Sequence, residues 1–179
     1  MHRHRLIPHY TAEDMRHWEG DWELWDGVPV AMAPSPFGPH GALVSRMIHL
    51  LVGELLEASC EDCHVLTEVR WEVGDDTVLR PDISIVCGGI PARFIQSPPS
   101  LIVEVLSEST HLIDRNLKRD AYGEEGVKHY LLADPKTGRV LNGYRSATDQ
   151  DEAEAHVLEL EHGCVVRVPT VMPARQSAA

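Results

Sequence analysis

Apolar residues recur with two different periods along this chain. In "HGALVSRMIHLLVGELLEA", residues 40–58, Leu43, Met47, Leu50, Leu51, Leu55 and Leu56 stand at helical spacing and predict the longest helix. From Cys63 the period falls to two. "HVLTEVRWEV" and "TVLRPDISIV" flank "GDD" and predict a β-hairpin with a short loop. Upstream, Thr11 and Asp14 in "TAED" resemble a capping box with Asp in place of Glu, which opens a short helix. Asp26-Gly27, inside "WELWDGVPVAM", predicts an earlier hairpin.

Downstream, "CGGIPARFIQSPPS" is a Gly/Pro-rich connection that must run over the surface. The strand "LIVEVLS" follows, then a helix in "DRNLKRDAYGEEG" with Asp114 as N-cap and Gly126 as its stop. "VKHYLLADP", "GRVLNGYR", "AHVLEL" and "CVVRVP" read as strands that finish the sheet. Runs of strands with few helices predict a single α/β domain, a mixed β-sheet flanked by helices. Residues 1–19 form an extension with the short helix, 20–170 the domain, and 171–179 a frayed tail. Regular βα alternation and a Gly-rich first turn are absent, which excludes a doubly wound dinucleotide fold.

Composition narrows the classes. The 179 residues carry a net charge of −12, which argues against a general nucleic-acid coat but leaves room for a small site with local basic residues such as "DRNLKRD". No apolar run reaches the roughly 20 residues that span a bilayer, and "MHRHRLIPHY" has no apolar core behind its basic residues, so a cytoplasmic location is expected. In that compartment Cys60, Cys63, Cys87 and Cys164 are expected as free thiols, and the Cys60/Cys63 pair, at a helix end, as structural. "HRHR" at residues 2–5 reads as a basic terminus rather than a metal site, and Trp18, Trp22 and Trp25 as core or interface residues rather than a base-stacking platform.

One residue resists that bland reading. Glu104 sits in "LIVEVL", a run that reads as a strand buried on both faces, where an ionised carboxylate is costly unless paired or bound to a cation. Asp82 is embedded likewise in "LRPDISIV". If the two strands pair, both acids converge, and two nearby carboxylates call for a shared proton or a divalent cation. Asp114, Lys118 and Tyr122 follow at i, i+4, i+8 on one helical face, which lets Lys118 swing back over the acids. The competing readings are a solvated edge acid or half of an ion pair for each carboxylate, and a surface Asp114–Lys118 pair worth a few tenths of a kcal/mol.

In order, "RPDISIV", "PPSLIVEVLSEST" and "DRNLKRDAYGEEGVKHYLLADP" resemble the Uma2 family of restriction-endonuclease-like proteins, within the PD-(D/E)xK nuclease superfamily. "WELWDGVPVAMAPSP" and the His that opens the long helix extend the resemblance over roughly residues 20–145. It implies a restriction-endonuclease-like fold and a divalent-metal phosphodiesterase. Asp82 and Glu104 would be metal ligands, with the Val105 carbonyl as a further one and Mg²⁺ or Mn²⁺ as the ion. The superfamily's lysine two residues after the acid is replaced by Leu106, and its role would pass to Lys118. His40 and Glu23 match recurrent polar positions without an assigned role.

The expectation is a metal-dependent endonuclease acting on nucleic acid, DNA before RNA, as a homodimer that cuts both strands. The alternative is a non-catalytic interaction or regulatory module on the same fold, which the acidic charge favours. A serine hydrolase has no G-x-S-x-G elbow to support it.

Overall fold

The computed structural model describes residues 8–32, 38–106, 114–145 and 153–172. Strands β1 (Trp22–Trp25) and β2 (Val28–Ala31) form the first hairpin, and Asp26 and Gly27 turn it at φ 47° and 76°. Positive φ at both central residues is what a two-residue hairpin turn with the strands' own twist requires. Before it, α1 (Ala12–Met15) is capped reciprocally: the Thr11 N–H donates to the Asp14 carboxylate (2.9 Å), and the Asp14 N–H donates to the Thr11 hydroxyl (3.2 Å).

The long helix α2 (Gly38–Glu57) starts two residues ahead of the expected stretch. It buries Leu43, Met47, Leu51 and Leu55, while Leu50 is half-buried and Leu56 faces solvent. A stripe of one residue every three or four is all that one helix face can cover.

The two period-two runs around "GDD" do pair antiparallel, but in two sheets rather than one hairpin. β3 (Cys63–Thr67) pairs with β6 (Ile83–Cys87), and β4 (Trp71–Glu72) with β5 (Val78–Leu79). Glu68, at φ 53°, breaks the first run between β3 and β4, and its N–H bonds to the Asp82 carbonyl at 3.2 Å. A smaller sheet thus forms in the order β2-β1-β5-β4.

β7 (Leu101–Val105), β8 (His129–Ala133) and β9 (Val140–Asn142) join β3 and β6 in a five-stranded mixed sheet, β3-β6-β7-β8-β9. β7 and β8 run parallel, connected through a π-helical turn (Asp114–Lys118) and α3 (Arg119–Glu124). Parallel neighbours need such a crossover. Gly126, at φ 83°, ends α3, and the Val127 N–H caps it on the Tyr122 carbonyl at 2.9 Å. Asp114, expected to cap this helix, is instead the first residue of the π-helical turn, and Lys118 takes the N-cap position of α3 without a side-chain hydrogen bond to cap it.

The last two strands depart from expectation. β10 (Ala155–Glu159) and β11 (Val165–Pro169) make their own antiparallel hairpin instead of extending the main sheet. Leu158, Val166 and Val168 pack with α2 and the main sheet in one aliphatic core, and Glu54 of α2 accepts the Arg167 N–H at 2.6 Å. Of the expected tail, residues 173–179 lie outside the described residues, whereas Met172 is buried and its N–H bonds to the Gly138 carbonyl.

The cysteines correct a second expectation. All four are paired, Cys60 with Cys164 and Cys63 with Cys87. Cys63 and Cys87 are register partners on β3 and β6, and Cys60 meets the β10–β11 hairpin just beyond α2. Their nearness in sequence makes Cys60 and Cys63 a local pair; the main sheet gives Cys63 its partner and the β10–β11 hairpin gives Cys60 one 104 residues away.

Candidate active site

Alternation sorts β7 cleanly. Leu101, Val103 and Val105 enter the aliphatic core under α2, while Ile102, Glu104 and Leu106 turn to the opposite face. That second face is aromatic. Trp71 stacks on Tyr122 (6.2 Å between centroids), Tyr122 meets Tyr130 edge-on at 5.1 Å, and Tyr130 meets Tyr144 at 5.7 Å.

Glu104 is 3% exposed within this layer. Its Oε1 accepts from the Lys118 ammonium at 2.8 Å and from the Tyr122 hydroxyl at 2.6 Å. Lys118 therefore does reach back from the crossover to the acid. The π-helical turn and the first turn of α3 carry Lys118 and Tyr122 on one face, four residues apart. Burial, followed by the negative charge of Glu104, raises the Tyr122 phenol well above 10.0, so it remains a neutral donor. Leu106, where the superfamily pattern has its lysine, is buried among Trp71, Tyr122 and Tyr130.

Lys118 also lies 3.5 Å from Oε1 of Glu23, which comes from β1 of the smaller sheet. Glu23 is 4% exposed and held at both oxygens. The Arg80 N–H donates to Oε1 at 2.9 Å, and the Trp25 indole N–H donates to Oε2 at 3.1 Å. Glu23 was legible as an acid between Trp22 and Leu24 on a strand; its contact with Lys118, across two sheets, was not. Tyr122 was legible only by its spacing from Lys118, and Trp25 only as apolar bulk.

Asp82 precedes β6, and extending the Ile83↔Val103 register by one residue places it opposite Glu104. Its Oδ2 accepts the Val105 N–H at 2.7 Å and lies 3.3 Å from Nε2 of His40, at the start of α2. Burial works against ionisation of Asp82. The His40 and Val105 hydrogen bonds and the charge of Lys118 outweigh it, holding the carboxyl below its usual 3.8. The Asp82 hydrogen bond in turn raises His40 above 6.5, against its own burial. Nδ1 of His40 is buried with no hydrogen-bond partner.

The carboxylates of Asp82 and Glu104 and the Val105 carbonyl are hard oxygen donors of the kind Mg²⁺ and Mn²⁺ take. Among the described residues no three His, Cys, Asp or Glu side chains are grouped as a metal centre, for Asp82 turns to His40 and Glu104 to Lys118 and Tyr122. The donor chemistry fits such an ion, and the ionised Asp82 fits it best. The "HRHR" segment lies outside the described residues. Trp18 and Trp22 are half-buried against the small core of α1, Leu24 and Val78, as the packing reading expected.

Comparison with known proteins fits this geometry into a family. No curated protein matches the chain. A solved structure titled as "a putative nuclease belonging to DUF820 from Anabaena variabilis ATCC 29413" superposes with a TM-score of 0.66 at 18% identity, over 86% of this chain and 90% of that one. At that identity the likeness shows the fold, a mixed α/β domain of several sheets and few helices. No described helix is long and apolar enough to cross a membrane. The family model described as "Uma2: Putative restriction endonuclease" matches residues 11–177, and the chain belongs to the Uma2 family.

Proposed function

We propose that this protein is a divalent-metal-dependent endonuclease that hydrolyses phosphodiester bonds of nucleic acid, DNA before RNA. The observation that carries the reading is the Lys118 ammonium 2.8 Å from Glu104, on a strand whose neighbour presents an ionised Asp82. An acid pair on adjacent strands with a lysine from the next helix is an unusual thing to bury for stability alone, because buried ion pairs contribute little net.

In this reading Asp82, Glu104 and the Val105 carbonyl hold Mg²⁺ or Mn²⁺. The bound ion would lower the pKa of a water and offset charge on the phosphate. The chain's own groups do the rest. Lys118 orients the attacking water and faces the negative charge that develops on phosphate oxygen. Tyr122, kept neutral, fixes the Glu104 carboxylate by donating to Oε1. Glu23 approaches the lysine from the other side at 3.5 Å, a second carboxylate that helps position an ammonium carried by a crossover segment. A homodimer would place two such sites against the two strands of a duplex.

The test is cleavage of plasmid and single-stranded DNA with Mg²⁺ or Mn²⁺, beside Glu104→Gln and a chelator. Metal-dependent nicking lost in Glu104→Gln is the expected result. Equal cleavage by wild type and variant would place the activity elsewhere. No cleavage together with no calorimetric metal binding would favour the non-catalytic module.

A further inference from the structure

The candidate site has two halves that differ in access. Glu104 and Lys118 have side chains only 4% and 7% exposed, whereas His40 and Asp82 are 12% and 19% exposed. An ion arriving from solvent meets the His40–Asp82 half first. There α2 packs its apolar stripe under the aliphatic face of the sheet, and its first turn brings His40 to the end of the strands. Asp82 enters β6 at that end and Val105 leaves β7 there. The ring lies 3.3 Å from the Asp82 carboxylate, whose Oδ2 also accepts the Val105 N–H at 2.7 Å.

We propose that His40 is itself a ligand of the metal site, supplying an imidazole nitrogen beside Asp82 and the Val105 carbonyl. The inference rests on the metal-dependent reading above and adds to it a nitrogen donor that neither the acid pair nor the lysine provides. The spacing suits the role. Two adjacent donors about 2.1 Å from one ion stand roughly 3 Å apart, and Nε2 of His40 lies 3.3 Å from Oδ2 of Asp82. The imidazole also holds a buried nitrogen, Nδ1, with no hydrogen bond among the described residues, so the ring is not committed at both ends to a structural network. A nitrogen donor moves the site's preference from Mg²⁺ towards Mn²⁺ and the later divalent metals.

The experiment loads the full chain with Mn²⁺ and reads electron spin-echo envelope modulation, with calorimetry for Mn²⁺ and Mg²⁺. Expected are ¹⁴N modulation that changes to a ¹⁵N pattern in ¹⁵N-histidine protein and vanishes in His40→Ala. Mn²⁺ affinity should fall about 10–100-fold in that variant, and Mg²⁺ affinity less. His40→Gln, closer in size, serves if His40→Ala loses its fold by circular dichroism. Mn²⁺ binding that is lost in Asp82→Asn yet shows no nitrogen coupling would overturn the role of His40 and leave the metal-dependent reading standing. No Mn²⁺ binding at all would overturn both.

Discussion

The two faces of the central sheet are built from the same strands and follow opposite rules. Under α2, Leu101, Val103 and Val105 of β7 meet Ile83, Ile85, Leu131 and the helix's Leu43, Met47 and Leu51, an all-aliphatic layer closed by the Cys60–Cys164 and Cys63–Cys87 disulfides. One residue over, Ile102, Glu104 and Leu106 meet Trp71, Tyr122 and Tyr130, and beside them lie Lys118 and Glu23. The first face gains by removing apolar surface from water, and His156, buried at its edge, bonds to the Val140 carbonyl at 2.9 Å. The second buries charge, which lowers stability unless every partner is present. The difference separates the part of the fold that holds it together from the part that the proposed function assigns to chemistry.

Removing the cation from the polar face should give the largest effect of any single substitution. Lys118→Met leaves Glu104 and Glu23 buried without it, and should cost about 3–5 kcal/mol in urea unfolding. Adding Glu104→Leu should recover much of that loss. A single-variant cost below about 1 kcal/mol would mean that the pair is hydrated and that the contrast between the faces is false.

The aliphatic face is challenged by reductant. Opening both disulfides should lower stability by about 2–4 kcal/mol for each, read as a fall in Tm, while the near-ultraviolet dichroism of the Trp71–Tyr122 stack stays unchanged. A changed aromatic signal before unfolding would show the two faces to be coupled.

Tyr122→Phe is smaller and sharper, since it removes one hydrogen bond to a charged group while keeping the ring. A loss of about 1.5–3 kcal/mol is expected, together with any lysine-dependent activity, because Glu104 loses its second anchor.

The smallest effect is that of pH on the His40–Asp82 contact. His40, raised above 6.5, contributes stability that is full below its unfolded pKa and is lost as pH rises through its folded value. Asp82, depressed below 3.8, contributes stability that is present above 3.8 and is lost as pH falls through its folded value. The contact is therefore strongest between these two limits. Asp82→Asn should bring the His40 titration, followed by imidazole NMR, back down; an unchanged midpoint would mean that Asp82 is not its partner.

Much of this was legible in the chain, for reasons visible in particular residues. Period two around Glu104 foretold its face, helical spacing foretold Leu43, Met47, Leu51 and Leu55, and the four-residue step from Lys118 to Tyr122 foretold a shared helical face, though only Lys118 was expected at the acids. What was not legible depends on contacts between distant segments. The split at Glu68 is a single left-handed residue inside an otherwise regular strand pattern. Cys63–Cys87 follows from sheet register and Cys60–Cys164 from the β10–β11 hairpin meeting the end of α2, neither of which cysteine spacing encodes. Glu23 touching Lys118 requires knowing that β1 belongs to a second sheet packed over the first.

That last contact also bears on when the site comes into being. Glu104 and Lys118 are 14 residues apart and can find each other as soon as the crossover packs. Glu23 is tied to Arg80 across 57 residues and belongs to the other sheet. Contacts of such separation are the slow ones in folding, because their loops must close before they stabilise anything. The lysine is thus clamped only once both sheets have formed and met. A chain still folding, or one partly opened, carries the three charged residues of the proposed site without their shared geometry.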